Sequence, residues 1–112
     1  MILDGDNLRL GLNNYLGFTH GARTENARRT AEVTPLLADA GLVVIVCLIT
    51  PKKSDRVLAS ETIGGERFRL GYLDTPLEVF ERRDPDGFYR QARFGNIPNF
   101  TGLEAAYEIP AI

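Results

Sequence analysis

Residues 41–50 read GLVVIVCLIT, and this run limits the fold more than any other stretch. It is continuous, apolar and rich in β-branched residues. A glycine leads it, and a proline, Pro51, follows. That is the pattern of a strand buried on both faces, and such strands belong to parallel sheets covered by helices. The run therefore points to the α/β class. The residues ahead of it fit. TENARRTAEVTPLLADAG (24–41) predicts a helix with Thr24 as N-cap and Gly41 just past the C-terminus. Val33, Leu36, Leu37 and Ala40 fall at i, i+3, i+4 and i+7, one helical face. Pro35 lies mid-helix and predicts a kink. Cys47, inside the apolar run, is expected to fill the core.

Downstream, SDRVLASETIG (54–64) predicts a shorter helix closed by Gly64-Gly65. RFRLGYLD (67–74) alternates Phe68, Leu70 and Tyr72 as a strand would, and TPLEVFERR (75–83) predicts a helix with Pro76 at or near its first position. Residues 84–102 carry turn signals, aromatics and arginines, and read as a loop or lid enclosing a short helix. Placed after a first strand that ends near Leu3, these elements alternate strand and helix in one domain of 112 residues. Net charge is −2, which argues against a nucleic-acid-binding surface. One cysteine excludes an internal disulfide. No signal peptide and no apolar run near about 18 residues is present, so a cytoplasmic, non-membrane location is the default expectation.

Ligands of open parallel sheets bind at the carboxyl ends of the strands, and the chemistry-bearing residues gather at those ends. LDGDNLRLGL (3–12) sets Asp4 and Asp6 around Gly5 where the first strand stops. Thr50-Pro51-Lys52-Lys53 follow the second strand, and Asp74 closes the third. A lone aspartate in such a place is commonly a helix cap; the joint placement is what suggests a site. Arg9 and Arg23 stand near helix starts, where a cation opposes the helix dipole, so an anion close by would balance them. Arg28 and Arg29 suit a solvated helix face. Phe18 and Phe100 sit in polar loops near arginines, which suits either loop anchoring or a planar base held between rings. His20 reads as a surface residue. With one histidine and one cysteine, a structural zinc site has no support.

On these residues the chain resembles the adenylylsulfate kinase family. The stretches LDGDNLRLGLN, LGF, RTENARR, AEV, LADAGLVVIV, DTPLEVFERRDP and NFTG stand in the family's order and spacing over nearly all of residues 3–110. The resemblance implies a P-loop kinase-like parallel sheet flanked by helices, and an enzyme that uses ATP and Mg²⁺ to phosphorylate the 3′-hydroxyl of adenosine 5′-phosphosulfate. It implies Asp6 as a base or metal-orienting carboxylate, and Arg9, Arg23 and Asn26 as holders of the phosphosulfate. Phe18 and Phe100 would flank the adenine, with Asn99 beside the second ring. Ile49 and Thr50 would match the family's ISP loop, with Thr50 in place of its serine at a catalytic position.

The family's phosphate-binding GxxxxGK[ST] loop is not found in these 112 residues. The expected fold is thus incomplete: residues 1–112 form one partial domain, the substrate-binding half plus lid, without the first strand or the C-terminal strand. Such a chain is expected to be inactive alone and to self-associate or form a homodimer. The lid departs from the family's DPKGLYKKAR, since Asp86 and Gln91 replace lysines. GLEAAYE replaces GIDSPYE near the end. A second reading, of a different class, is a non-catalytic remnant that binds a nucleotide or a partner subunit without phosphoryl transfer.

Overall fold

The computed structural model describes residues 1–84, 86–94, 101 and 107–110. Its elements are β1 (Ile2–Asp4), α1 (Gly5–Leu8), α2 (His20–Asp39), β2 (Ile45–Cys47), α3 (Lys53–Ile63), α4 (Leu77–Arg83) and α5 (Phe88–Arg93). They fall into two compact units, Met1–Arg69 and Leu70–Ile112.

In the first unit β1 and β2 pair in parallel, Ile2 opposite Ile45, Leu3 opposite Val46 and Asp4 opposite Cys47. Parallel neighbours cannot be joined by a tight turn, so the chain crosses over through α2 between them. The pairing is extended by Ile45 N–H on the Met1 carbonyl and by the terminal ammonium on the Val43 carbonyl, each at 2.9 Å. Gly5 makes the exit from β1 possible. A Cβ there would lie 2.9 Å from the Leu48 side chain and 3.4 Å from the Cys47 carbonyl.

Helix α2 starts earlier than the sequence predicts. Its cap is Thr19, whose hydroxyl accepts the Ala22 N–H at 3.2 Å. Thr24 sits inside the helix instead, and its hydroxyl donates to Asp55 on α3 at 3.0 Å. The helix runs through Pro35 and ends before Gly41, which adopts a φ of +92° as the sequence requires of it. The buried face also differs from the predicted one. Asn26, Ala27, Thr30, Ala31 and Thr34 are buried, whereas Leu36 is 68% exposed. α2 packs on α3, and small residues let the backbones approach. The two buried threonines are satisfied locally, since Thr30 and Thr34 donate to the carbonyls four residues back at 2.8 and 2.7 Å.

Two other expectations change. β2 is not buried on both faces: Ile45 is 55% exposed and Val46 38%. Burial of such a strand depends on neighbours, and among the described residues β2 has only β1 beside it. For the same reason Cys47 is exposed rather than a core residue. Residues 67–74 alternate as a strand should, yet they form none, because a strand needs a partner for its backbone groups and none of the described residues supplies one.

In the second unit α4 and α5 are joined by Asp84, whose carboxylate accepts the N–H groups of Tyr89 and Arg90 at 3.1 and 3.2 Å. This caps α5, the short helix predicted inside the lid. Phe80 and Tyr89 stack in parallel with centroids 6.4 Å apart, and Arg93 pairs with Glu81. Burial raises the Tyr89 phenol, and the carboxylates of Asp84 and Glu81 add to the shift.

Candidate functional site

The parallel pairing sets the carboxyl ends of β1 and β2 side by side, so the chain leaves both strands at one edge of the sheet. Asp4 and Asp6 leave from β1, Ile49 and Thr50 from β2. The two aspartates divide their duties. Asp4 is the cap of α1 and accepts the Asp6 N–H at 3.2 Å. Asp6 is exposed on the first turn, near enough to Arg9 for its charge to act on that guanidinium.

Thr50 adopts a φ of +42°, in the left-handed region. A β-branched residue is disfavoured there, and the surroundings must hold it. The guanidinium of Arg56, buried at the start of α3, donates to the Thr50 carbonyl at 2.9 Å. Ile49 beside it is 55% exposed.

Arg9 and Arg23 meet on Phe18. The Arg9 guanidinium lies 4.2 Å from the ring centroid and donates to the carbonyls of Leu16 and Gly17, each at 2.9 Å. The Arg23 guanidinium lies 5.6 Å from the same centroid and donates from Nε to the Phe18 carbonyl at 2.9 Å. Burial lowers the pKa of Arg9, against an opposing pull from Asp6. Burial also lowers that of Arg23, and Arg9 lowers it further. Two like charges are thus held on one ring, by contacts to π-electrons and carbonyl oxygens. An anion between them would relieve the repulsion.

Asn26 is buried one turn along α2 from Arg23. Its Oδ1 accepts from Nδ2 of Asn13 at 2.6 Å, and Asn13 is wholly buried. The other end of Asn13, Oδ1, accepts from Arg29 at 3.2 Å. Arg29 lies 4.9 Å above the Tyr15 ring, bonds its hydroxyl, and joins Arg28 on Glu25. Those two arginines hold the Glu25 carboxyl well below its usual range, at about 2. Reading the sequence missed Asn13, because an asparagine in a polar loop carries no pattern. Arg29, which suits a solvated helix face by sequence, instead braces this network.

Other residues fall apart from the site. His20 is the exposed first residue of α2, as expected of a surface residue. Asp74 is exposed in the second unit and ends no strand. Asn99 and Phe100 lie outside the described residues. Among the described residues no three acidic, histidine or cysteine side chains cluster as a metal site, and no helix is long and apolar enough to cross a membrane.

Known proteins resemble the whole chain. The sequence profile of a family described as adenylylsulphate kinase matches residues 1–112. The adenylyl-sulfate kinase of Pseudomonas aeruginosa is 56% identical over 110 residues, which cover 98% of this chain and 56% of that protein. The adenylyl-sulfate kinase of an Enterobacter species is 50% identical over 109 residues, covering 97% of this chain and 54% of its own length. The chain thus spans about half the length of these curated relatives. A solved structure of the Mycobacterium tuberculosis APS kinase CysC, in complex with AMPPNP and APS, superposes with a TM-score of 0.91 at 46% identity. It covers 97% of this chain, and this chain covers 64% of it. The fold of the described residues is accordingly that of part of a P-loop kinase domain.

Proposed function

The chain belongs to the adenylylsulfate kinase family, and from that premise we propose that it carries the adenylylsulfate-binding half and lid of one kinase domain. The reaction is transfer of the γ-phosphoryl group of ATP to the 3′-hydroxyl of adenosine 5′-phosphosulfate. The observation that carries this reading is the pair of guanidiniums, Arg9 and Arg23, held on the Phe18 ring beside Asp6. Adenosine 5′-phosphosulfate joins a compact anion, through its ribose, to a planar base. It suits two cations braced against an aromatic ring.

Each residue has a role in this reading. Arg9 and Arg23 hold the phosphosulfate, and the amide of Asn26 adds a neutral donor. Phe18 fixes the two guanidiniums and offers the adenine an aromatic surface, with Asn99 and Phe100 assigned to the same base. Asp6 accepts the proton of the 3′-hydroxyl or orients it for attack. Ile49 and Thr50, at the neighbouring strand end, line the nucleoside side.

Asp6 also fits Mg²⁺ in the limited sense this chemistry needs. Magnesium keeps several waters and takes one or two carboxylates together with substrate phosphates, and Asp6 is an exposed acidic residue just past the strand end. When bound, the ion neutralises charge on the transferring phosphoryl group. No GxxxxGK[ST] occurs in these 112 residues, so the proposal places only the substrate side of the reaction on the residues named here.

The test is calorimetric titration with adenosine 5′-phosphosulfate. The chain should bind it, and Arg23→Ala should weaken binding by about 2 kcal/mol, roughly thirtyfold. That is the low end for loss of one charged partner, since Arg23 is only part-buried. Equal affinity in the two proteins would refute the assignment.

A further inference from the structure

The buried carboxamide of Asn13 touches neither guanidinium on Phe18, yet it lies between the two segments that carry them. Its backbone N–H donates to the Leu8 carbonyl at 2.8 Å, and its own carbonyl accepts the Leu16 N–H at 3.2 Å. Asn13 is therefore built into the loop whose Leu16 and Gly17 carbonyls hold Arg9. Its side chain crosses to α2, where Arg23 and Asn26 reside. Both ends of that side chain are committed. Nδ2 donates to Asn26 Oδ1 at 2.6 Å, and Oδ1 accepts from Arg29 Nη1 at 3.2 Å.

A primary amide has one accepting end and one donating end. Arg29 can only donate, so it decides which end of Asn13 faces it. The opposite end of Asn13 must then donate, and it does so to Asn26. That in turn commits the accepting end of Asn26 to Asn13, and leaves its amide nitrogen as the end directed elsewhere. We propose that Asn13 is a positioning residue, which together with Arg29 fixes the orientation of the Asn26 amide so that it offers a donor, not an acceptor, to the anion. The inference rests on the proposed role of Asn26 toward phosphosulfate. It adds the residues that set the polarity of that role.

Asn13→Asp is the decisive substitution, since it keeps the shape and reverses the polarity of one end. Arg29 still has an acceptor, now a charged one. Asn26 meets an acceptor where it had a donor, and it turns its nitrogen inward to satisfy it. The end of Asn26 presented to the ligand then becomes its oxygen, which repels an anion. Adenosine 5′-phosphosulfate should bind roughly tenfold or more weakly to Asn13→Asp, while the melting temperature stays close to that of the parent. A merely structural residue would lose affinity only in proportion to lost stability.

Asn13→Ser brings no charge into the buried site and is the second variant. It frees Asn26 to take either orientation, so its loss of affinity should be smaller than that of the aspartate variant. Asn26→Ala removes the donor directly and leaves no amide to turn. It should bind more weakly than the parent, and adding Asn13→Asp to it should cost little further affinity. Additive losses, or Asn13→Asp binding as tightly as the parent, would overturn the inference while leaving the Arg9 and Arg23 assignment standing. Failure of the folded parent chain to bind adenosine 5′-phosphosulfate would overturn both.

Discussion

Phe18 joins the two cations of the site, and its ring can be tested apart from its backbone. In Phe18→Leu the side chain keeps its apolar bulk but loses the negative face. The main-chain anchors survive, because Arg9 bonds the Leu16 and Gly17 carbonyls and Arg23 bonds the Phe18 carbonyl. What is lost in holding the two cations ready for an anion is therefore bounded by two cation–π contacts. Arg9, at 4.2 Å, lies well inside the reach of such contacts, and with the ring half exposed it should contribute about 1 kcal/mol. Arg23, at 5.6 Å, is near the limit and should contribute about 0.5 kcal/mol. The sum, about 1.5 kcal/mol, is close to tenfold in affinity. Titration with adenosine 5′-phosphosulfate should give that loss for Phe18→Leu and almost none for Phe18→Tyr, which keeps the aromatic face. Base stacking on the same ring would add to the loss for the nucleotide. It would not add to it for inorganic pyrophosphate, so a parallel titration with pyrophosphate isolates the guanidinium part. Equal affinities for the leucine and tyrosine variants would refute the reasoning.

Two further outcomes follow from the same geometry. Glu25 is held at about 2 instead of 4.5 by Arg28 and Arg29, so its contribution to stability is present above about pH 4.5 and disappears as pH falls through 2. Melts against pH should show a gap between the parent and Glu25→Gln that closes in that window, and a gap independent of pH would contradict the pairing. Thr50→Gly should relieve the strain of a φ of +42° and raise stability by up to about 1 kcal/mol in urea titrations, because a left-handed backbone conformation suits glycine. Destabilisation there would mean that the threonine side chain holds the turn.

The fold was legible where local chemistry decides it. Gly41 and Gly64 end their helices with positive φ, and helices α3, α4 and α5 lie close to where the sequence places them. It was not legible where tertiary neighbours decide. The face of α2 against α3 is lined by alanines and threonines, so apolar periodicity selected Val33, Leu36, Leu37 and Ala40 in place of the buried stripe. Thr30 and Thr34 can be buried because their hydroxyls find carbonyls within the helix, which no hydropathy pattern expresses. The alternation in 67–74 fits a strand, yet alternation supplies no partner. The site divides in the same way. Helix-end placement of Arg9 and Arg23 pointed to an anion, and family resemblance pointed to Asn26 and Asp6. That Phe18 carries both cations, and that Asn13 and Arg29 stand behind Asn26, arises from contacts between residues up to 16 positions apart.

The lid offers a charge reversal to test. Resemblance implies a lysine where this chain has Asp86, facing the substrate anion. The cap of α5 comes from another residue. The carboxylate on the first N–H groups of α5 is that of Asp84, and Asp86 is exposed just before Gly87, which takes a φ of +71°. Asp86→Lys therefore leaves the cap in place. A cation near the N-terminus of α5 opposes the helix dipole, at a cost of a few tenths of a kcal/mol for so short and exposed a helix. On the position the resemblance implies for this residue, the change removes a like charge near the ligand and adds an opposite one, and the expected gain is about 1 kcal/mol at low ionic strength. The two effects separate by assay. Helix content by circular dichroism should fall slightly or not at all, and affinity for adenosine 5′-phosphosulfate should rise about fivefold in dilute buffer. The gain should shrink as the screening length falls to about 8 Å near physiological salt, and it should vanish well before about 1 M. Unchanged affinity at both low and high salt would place Asp86 in a solvated turn, with no part in holding the anion.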